Sequence, residues 1–133
     1  MKNQKISLNL LRAEKALLSL KNIAYKAHEI DRSNIDASIQ RFEFTVELFW
    51  KLLRHMLEEK GVEVQYPKDV LRQAYKGGLI DDEHIWLKML SDRNLTSHTY
   101  DEKLADEIYL HIQKYVPFFI QALAKIKAVI DEI

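Results

Sequence analysis

The sequence predicts an all-α protein, an antiparallel up-and-down bundle of four long helices plus one short helix. Apolar residues recur at alternating steps of three and four positions along most of the chain, which is the period of one helical face. Only three Gly and two Pro occur among the 133 residues, and this scarcity disfavours a many-turned β sandwich. Because no linker or repeat divides the chain, we expect residues 1–133 to form a single domain.

Composition excludes several classes of protein and site. Apolar residues make up 47% and charged residues 30%, which is typical of a globular chain and not of a disordered one. No Cys is present, so a disulfide framework, a thiolate metal site and a cysteine nucleophile are excluded. The 20 basic and 20 acidic side chains balance, which removes a global attraction to nucleic acid but still permits a local basic patch. No run approaches the roughly 18 apolar residues of a membrane helix. No signal peptide is recognised, so we expect a cytoplasmic protein without membrane contact.

The first predicted helix carries one apolar stripe, whereas the second carries two. The stripe of the first helix consists of Ile6, Leu10, Ala13, Leu17, Leu20, Ala24 and Ala27. After a break at Asp31-Arg32-Ser33-Asn34, the main stripe of the second helix consists of Ile35, Ile39, Phe42, Val46, Phe49, Leu53 and Met56. Its second stripe consists of Phe44, Leu48 and Leu52. The apolar pattern leaves two interpretations of this second stripe open: contacts with several helices of the same chain, or a homodimer interface.

Glycine, proline and aspartate mark the ends of the remaining helices. Gly61 is predicted to end the second helix as a left-handed cap, and Pro67 to open a short third helix that Gly77-Gly78 closes. The fourth helix is predicted to start at Asp81. The long last helix contains Pro117, which we expect to kink it near its middle. The inner face of this helix is predicted to carry Leu104, Ile108, His111, Tyr115, Phe119, Ala122, Ile126 and Val129.

The connection between the fourth helix and the last one combines helix-breaking residues with residues that carry chemistry. Asn, Thr and Ser follow a strongly helical run, so we expect the fourth helix to end between Asn94 and His98. Thr99 and Glu102 then have the spacing of a capping box, with Thr99 as the N-cap of the last helix. In an unbroken helix, Arg93 and His98 would point roughly 140° apart. They can therefore converge on one ligand only if the helix breaks between them.

A guanidinium, an imidazole and a phenol close to a helix N-terminus are suited to a phosphodiester site, and Arg93, His98 and Tyr100 supply them. The alternative is that Arg93 and His98 are ordinary capping and surface residues. We predict no metal site and no cofactor. The acidic run Asp81-Asp82-Glu83-His84 is typical of a first helical turn, and no second ligand cluster accompanies it. His111 lies on an apolar stripe and is expected to be a hydrogen-bonded core residue and not a ligand.

The octapeptide Arg93-Asn94-Leu95-Thr96-Ser97-His98-Thr99-Tyr100 resembles the R-x4-6-H signature of the HEPN superfamily, in its RN-x3-H-x-Y form. The segments Phe42-Glu43-Phe44-Thr45, Trp50-Lys51-Leu52-Leu53 and Trp86-Leu87 extend the similarity to one subgroup. This subgroup contains the nucleotidyltransferase substrate-binding-like proteins, also described as HEPN toxins paired with a minimal nucleotidyltransferase (MNT). The resemblance covers roughly residues 6–123 and shows no departure from the R-x4-H-x-Y pattern.

The resemblance implies a fold, an activity and a regulator. Proteins of this family are antiparallel helical bundles that form homodimers with a cleft at the two-fold axis, and many are metal-independent endoribonuclease toxins that act on RNA. In them, the residues matching Arg93 and His98 are the catalytic pair, and the residue matching Asn94 supports them. A separately encoded MNT antitoxin transfers AMP onto the tyrosine matching Tyr100, and this modification silences the nuclease.

Two other functions remain open on the sequence. The first is a non-catalytic subunit that binds substrate or nucleotide for a two-component nucleotidyltransferase, with the same residues holding a phosphate. The second is a helical interaction module in which Arg93 and His98 only tie two helices together. All three interpretations share the predicted fold, so architecture alone does not separate them.

Overall fold

Five α-helices and one 3₁₀ turn follow one another in the computed structural model, which describes residues 3–26 and 32–131. The helices are α1 (Gln4–Ala24), α2 (Ser33–Glu59), α3 (Pro67–Lys76), α4 (Glu83–Leu95) and α5 (Glu102–Asp131), with the 3₁₀ turn Thr96–His98 between the last two. No strand occurs within the two described ranges. The predicted all-α architecture of four long helices and one short helix is confirmed. Ala27, the last member of the first predicted stripe, and Asp31 lie outside the described residues.

The central helix is α2, which contacts all four of the other α-helices. Every residue of its predicted main stripe is buried. The ring of Phe42 stacks on Tyr115 with centroids 5.7 Å apart, and Phe49 packs 5.2 Å from Phe119 and 5.7 Å from Trp86. Aromatic pairs at these separations add to the free energy gained from apolar burial. The aromatic core therefore fixes α2 against α4 and α5, the two helices that flank the 3₁₀ turn.

The second stripe of α2 is divided between the interior and the surface. Leu52 is fully buried, Leu48 is half-buried, and Phe44 is 53% exposed. The interpretation of contacts within one chain is therefore correct for the Leu52 end of the stripe. At the other end of the stripe, Phe44 is left more than half exposed by the described residues.

Apolar burial in α1 and α5 follows the predicted stripes with small differences. In α1, Leu10 is only half-buried while the other described members of its stripe are buried. In α5, Leu104, His111 and Val129 are half-buried and the remaining members are buried. The α5 helix continues as one element through Pro117, which is exposed. Among the described helices, none combines the length and the apolar content required to span a membrane.

The glycine caps are confirmed. Gly61 has a φ of +83°, and the N–H of Val62 donates to the carbonyl of Leu57 at 2.8 Å. Gly78 has a φ of +77°, and the N–H of Leu79 donates to the carbonyl of Ala74 at 2.8 Å. Both are Schellman endings, in which a left-handed glycine lets the chain reverse and satisfy the last carbonyls of the helix. Pro67 is the first residue of α3, as predicted.

The N-cap of α4 lies one residue later than predicted, at Asp82 and not at Asp81. Asp82 is the N-cap, because its carboxylate accepts the N–H of Ile85 at 3.0 Å. Asp81 instead forms an ion pair with Lys125 on α5. Both aspartates are suited to capping by residue type, and the structure uses Asp82.

The N-cap of α5 lies two residues beyond the predicted one, so the capping box of Thr99 and Glu102 is wrong. Asp101 performs the capping, because its carboxylate accepts the N–H groups of Lys103 at 3.0 Å and Leu104 at 3.3 Å. The hydroxyl of Thr99 instead donates to the carbonyl of Thr96 at 2.8 Å. Thr99 therefore completes the 3₁₀ turn and does not begin the next helix.

Candidate functional site

The helix break predicted between Asn94 and His98 is present. The α4 helix ends at Leu95, and the 3₁₀ turn occupies Thr96–His98. The buried Thr96 hydroxyl donates to the carbonyl of Arg93 at 2.6 Å, which satisfies an acceptor that the ending helix leaves free. Arg93 and His98 thus lie on different elements, as convergence on one ligand requires.

Arg93 is oriented by a carboxylate from α2. Its Nη2 lies 3.2 Å from Oε1 of Glu47, and its Nη1 donates to Oδ1 of Asn94 at 3.4 Å. The second carboxylate oxygen of Glu47 accepts the indole N–H of Trp50 at 2.8 Å, and the Arg54 guanidinium lies 5.4 Å from the centre of that indole ring. Since the side chain of Arg93 is 37% exposed, the guanidinium is held in place while part of it faces solvent.

His98 and Tyr100 lie side by side on the surface. Their ring centroids are 6.1 Å apart, with an angle of 67° between the ring planes, and Tyr100 is 84% exposed. Within the described part of the chain, no hydrogen bond joins Arg93 to His98. The structure therefore brings His98 together with Tyr100, and Arg93 together with Asn94 and Glu47. Joint action of Arg93 and His98 on one ligand stays a prediction.

Two hollows open along one face of α2. The first, the Tyr100 hollow, has a volume of about 440 Å³ and is lined by Asp36, Ile39, Gln40, Glu43, Phe44, Thr99 and Tyr100. The second, the Arg93 hollow, has a volume of about 260 Å³ and is lined by Glu47, Tyr66, Pro67, Lys68, Leu90, Arg93 and Asn94. Asp36, Gln40, Glu43 and Glu47 follow one another at steps of four, three and four, so both hollows share this helical face.

The two hollows differ in charge. Of the described residues, two carboxylates and no basic side chain line the Tyr100 hollow. Two basic side chains and one carboxylate line the Arg93 hollow. The Arg93 end of this face therefore favours an anionic group more than the Tyr100 end does.

A buried polar cluster that the sequence did not reveal ties α4 to α5. Asp92 is 7% exposed, and its Oδ2 accepts the hydroxyl of Tyr115 at 2.5 Å and lies 2.9 Å from Nδ1 of His111. Burial, and secondarily the hydrogen bond and negative charge of Asp92, raise the pKa of Tyr115, so this phenol stays protonated as a donor. The predicted hydrogen bond of His111 is confirmed, although its side chain is 36% exposed.

The acidic first turn of α4 shows the contacts expected of a helix N-terminus. Asp82 is the cap and Asp81 pairs with Lys125. Across the described residues, no group of three or more side chains has the arrangement of a metal site.

Comparison with known proteins places this geometry in a family. Residues 8–128 match the family described as nucleotidyltransferase substrate binding protein like. The chain is 37% identical over 87 residues to the probable ribonuclease HepT of Haemophilus influenzae. This match covers 62% of the chain and 60% of that relative, so it spans less than two thirds of the relative's length.

Two solved structures share the fold. A protein of Thermus thermophilus is 42% identical, with a TM-score of 0.79, and the match covers 86% of this chain and 98% of that one. The tri-AMPylated HEPN toxin of Shewanella oneidensis, solved in complex with MNT antitoxin, has a TM-score of 0.78 with 95% and 98% coverage. At 18% identity, this second likeness shows the fold alone. The chain therefore belongs to the nucleotidyltransferase substrate binding protein like family, and its helical bundle is the fold of the HEPN toxins.

Proposed function

We propose that this protein is an endoribonuclease toxin that works as a homodimer, without a metal ion, and is silenced when a separate MNT antitoxin transfers AMP onto Tyr100. The observation that carries the proposal is the break between α4 and α5, which separates Arg93 from His98 and leaves His98 exposed beside Tyr100. The relative named probable ribonuclease HepT and the fold shared with a HEPN toxin support the same activity.

The proposed chemistry uses the nucleophile that RNA itself carries. The 2′-oxygen loses its proton and attacks the adjacent phosphorus, the bond from phosphorus to the 5′-oxygen breaks, and that oxygen takes up a proton. The products are a 2′,3′-cyclic phosphate and a free 5′-hydroxyl. His98 exchanges one of the two protons, since imidazole is the side chain that titrates near neutrality. Arg93 holds the phosphate and stabilises its added negative charge, with Asn94 supporting the guanidinium at 3.4 Å.

Tyr100 is accessible to a modifying enzyme and close enough to His98 to control it. Its phenol is 84% exposed, and its ring lies 6.1 Å from the imidazole ring. AMP on this phenol adds a negatively charged phosphodiester and a nucleoside next to the proposed catalytic histidine. The modified side chain then repels the RNA backbone and occupies the space in which the RNA lies.

A non-catalytic function is favoured by one specific contact and by the family description. Glu47 neutralises the guanidinium of Arg93 at 3.2 Å, which weakens the stabilisation that Arg93 can give to a transition state. The family is described as substrate binding protein like. In this second candidate function, the same residues bind nucleotide or phosphate for a nucleotidyltransferase and cut nothing.

The test is cleavage of RNA by the purified protein in EDTA, beside Arg93→Ala, His98→Ala and a control, His84→Ala. His84 is an exposed histidine in the first turn of α4, outside both hollows. Intact mass must first show that Tyr100 is unmodified. We expect cleavage by the wild type and the control, and a rate about 10²–10⁴-fold lower for the other two variants. Wild-type protein that is unmodified, dimeric and inactive contradicts the nuclease and favours the binding subunit.

A further inference from the structure

The Arg93 hollow contains side chains that the proposed cleavage reaction does not use. Tyr66 and Lys68 come from the start of α3, and Leu90 comes from α4. Tyr66 is 69% exposed although it is a large aromatic residue. The hollow measures about 260 Å³, which is enough space for a planar base and part of its sugar-phosphate.

The position of Tyr66 is fixed by the residue that follows it. Pro67 restricts the preceding residue to extended backbone, and Tyr66 has a φ of −95° and a ψ of 140°. Val70 donates its N–H to the carbonyl of Tyr66 at 2.9 Å, which attaches this residue to the first turn of α3. The backbone that carries the phenol ring is therefore rigid, so no backbone entropy is lost when a planar group stacks on the ring.

The two cationic side chains that line the hollow, Lys68 and Arg93, are suited to bind the phosphate of a nucleotide whose base stacks on Tyr66. Lys68 is exposed, and Arg93 uses two of its five N–H donors on Glu47 and Asn94. Within the described ranges, the remaining donors of Arg93 are free to bind a phosphate oxygen. An aromatic face for a base beside cations for the backbone is the arrangement with which proteins hold single-stranded nucleic acid.

We propose that the Arg93 hollow binds one nucleotide of single-stranded RNA, with its base stacked on Tyr66 and its phosphate between Lys68 and Arg93. The inference rests on the proposed function, because it places this nucleotide directly beside the residue that holds the cleaved phosphate. Tyr66 and Lys68 are RNA-binding residues in this arrangement and take no part in proton transfer.

The experiment measures binding separately from cleavage. The probe is a fluorescent single-stranded 2′-O-methyl RNA, which lacks the 2′-nucleophile and cannot be cut, and fluorescence anisotropy gives its Kd. The variants are Tyr66→Ala, Tyr66→Phe and Lys68→Ala. Matched controls are Tyr75→Ala on α3 and Lys88→Ala on α4, since both residues are exposed and neither lines the hollow. Thermal melts check that each variant is folded, and intact mass checks that Tyr100 is unmodified.

We expect Tyr66→Ala to raise the Kd about tenfold or more and Tyr66→Phe to leave it within about twofold, because stacking needs the ring and not the hydroxyl. Lys68→Ala is expected to raise the Kd about fivefold and to reduce its dependence on salt. Both controls are expected to match the wild type.

Two outcomes overturn the inference: a Kd that Tyr66→Ala leaves unchanged, or no binding of the probe by the wild type. Cleavage of unmodified RNA, measured in parallel, separates this inference from the proposed function. If the protein cleaves RNA but Tyr66→Ala does not change the Kd, the nucleotide site in the Arg93 hollow is contradicted and the proposed nuclease activity is not. If Tyr66→Ala raises the Kd but the protein cleaves no RNA, the Arg93 hollow is supported as a nucleotide site and the proposed nuclease activity is contradicted.

Discussion

Asp92 is a buried carboxylate whose partners decide whether its burial costs stability. Its Oδ2 accepts the Tyr115 hydroxyl at 2.5 Å and lies 2.9 Å from His111. An ionised group in a low-dielectric environment is tolerated only when hydrogen bonds replace its lost water. Asp92 directly precedes Arg93, so the same contacts hold the turn of α4 from which the Arg93 side chain extends.

Tyr115→Phe removes a donor from this carboxylate while keeping the ring that stacks on Phe42 at 5.7 Å. We expect the free energy of unfolding to fall by about 1–3 kcal/mol, since Asp92 is left with His111 alone. Urea denaturation of the two proteins measures the difference. The control is Tyr100→Phe, whose hydroxyl belongs to a side chain that is 84% exposed, and it is expected to change stability by less than about 0.5 kcal/mol. Equal losses in the two variants contradict a role for the Asp92 cluster.

Local sequence identifies the residues of the candidate site but not their partners. Arg93, Asn94, His98 and Tyr100 stand within one octapeptide, so a motif can find them. Glu47 is 46 positions from Arg93, and sequence spacing pairs it only with Lys51 one turn along α2. Contacts between helices depend on how the helices are rotated and spaced, and a single sequence contains no direct signal for this.

At the scale of the helices, the apolar periodicity predicts which helices exist. The residue that caps each helix depends on contacts with neighbouring segments of the chain. Glycine at Gly61 and Gly78 predicts the helix ends correctly, because few other residues adopt a positive φ. The N-caps of α4 and α5 are harder to predict from sequence. Asp, Thr and Ser all cap well, and several of these residues lie close together before each helix. The 3₁₀ turn uses the hydroxyl of Thr99, and Asp101 then caps α5.

Asp101→Ala removes the cap of α5 and is expected to lower the free energy of unfolding by about 1 kcal/mol. Asp101→Asn keeps a side-chain oxygen that accepts the N–H groups of Lys103 and Leu104, so it is expected to retain most of the stability. Thermal or urea denaturation of the three proteins gives the order. If Asp101→Ala is as stable as the wild type, the start of α5 is capped by another group.

At the scale of the whole molecule, α2 both packs against the other helices and carries an exposed apolar residue. Residues of the two kinds are interspersed along its sequence. Its main stripe and Leu52 are buried against the other helices and hold the bundle together. Phe44, in contrast, is 53% exposed and lines the Tyr100 hollow. A large apolar residue on the rim of a candidate site is a contact that a second subunit can cover. The homodimer cleft that the resemblance implies is therefore expected at this end of α2.

Phe44→Asp is expected to dissociate the homodimer without unfolding the chain. Burying a phenylalanine contributes about 1.5–3 kcal/mol, so its loss from each copy weakens the dimer by at least about tenfold, and the two added carboxylates repel each other. Sedimentation equilibrium measures the association, and urea denaturation checks that the monomer is as stable as expected for an exposed position.

The control is Leu110→Asp on α5, since Leu110 is 57% exposed and lines neither hollow. A wild-type monomer, or a Phe44→Asp variant that associates as tightly as the wild type, contradicts this interface. If the proposed site also needs both copies, RNA cleavage by Phe44→Asp falls at low protein concentration and recovers as the concentration rises.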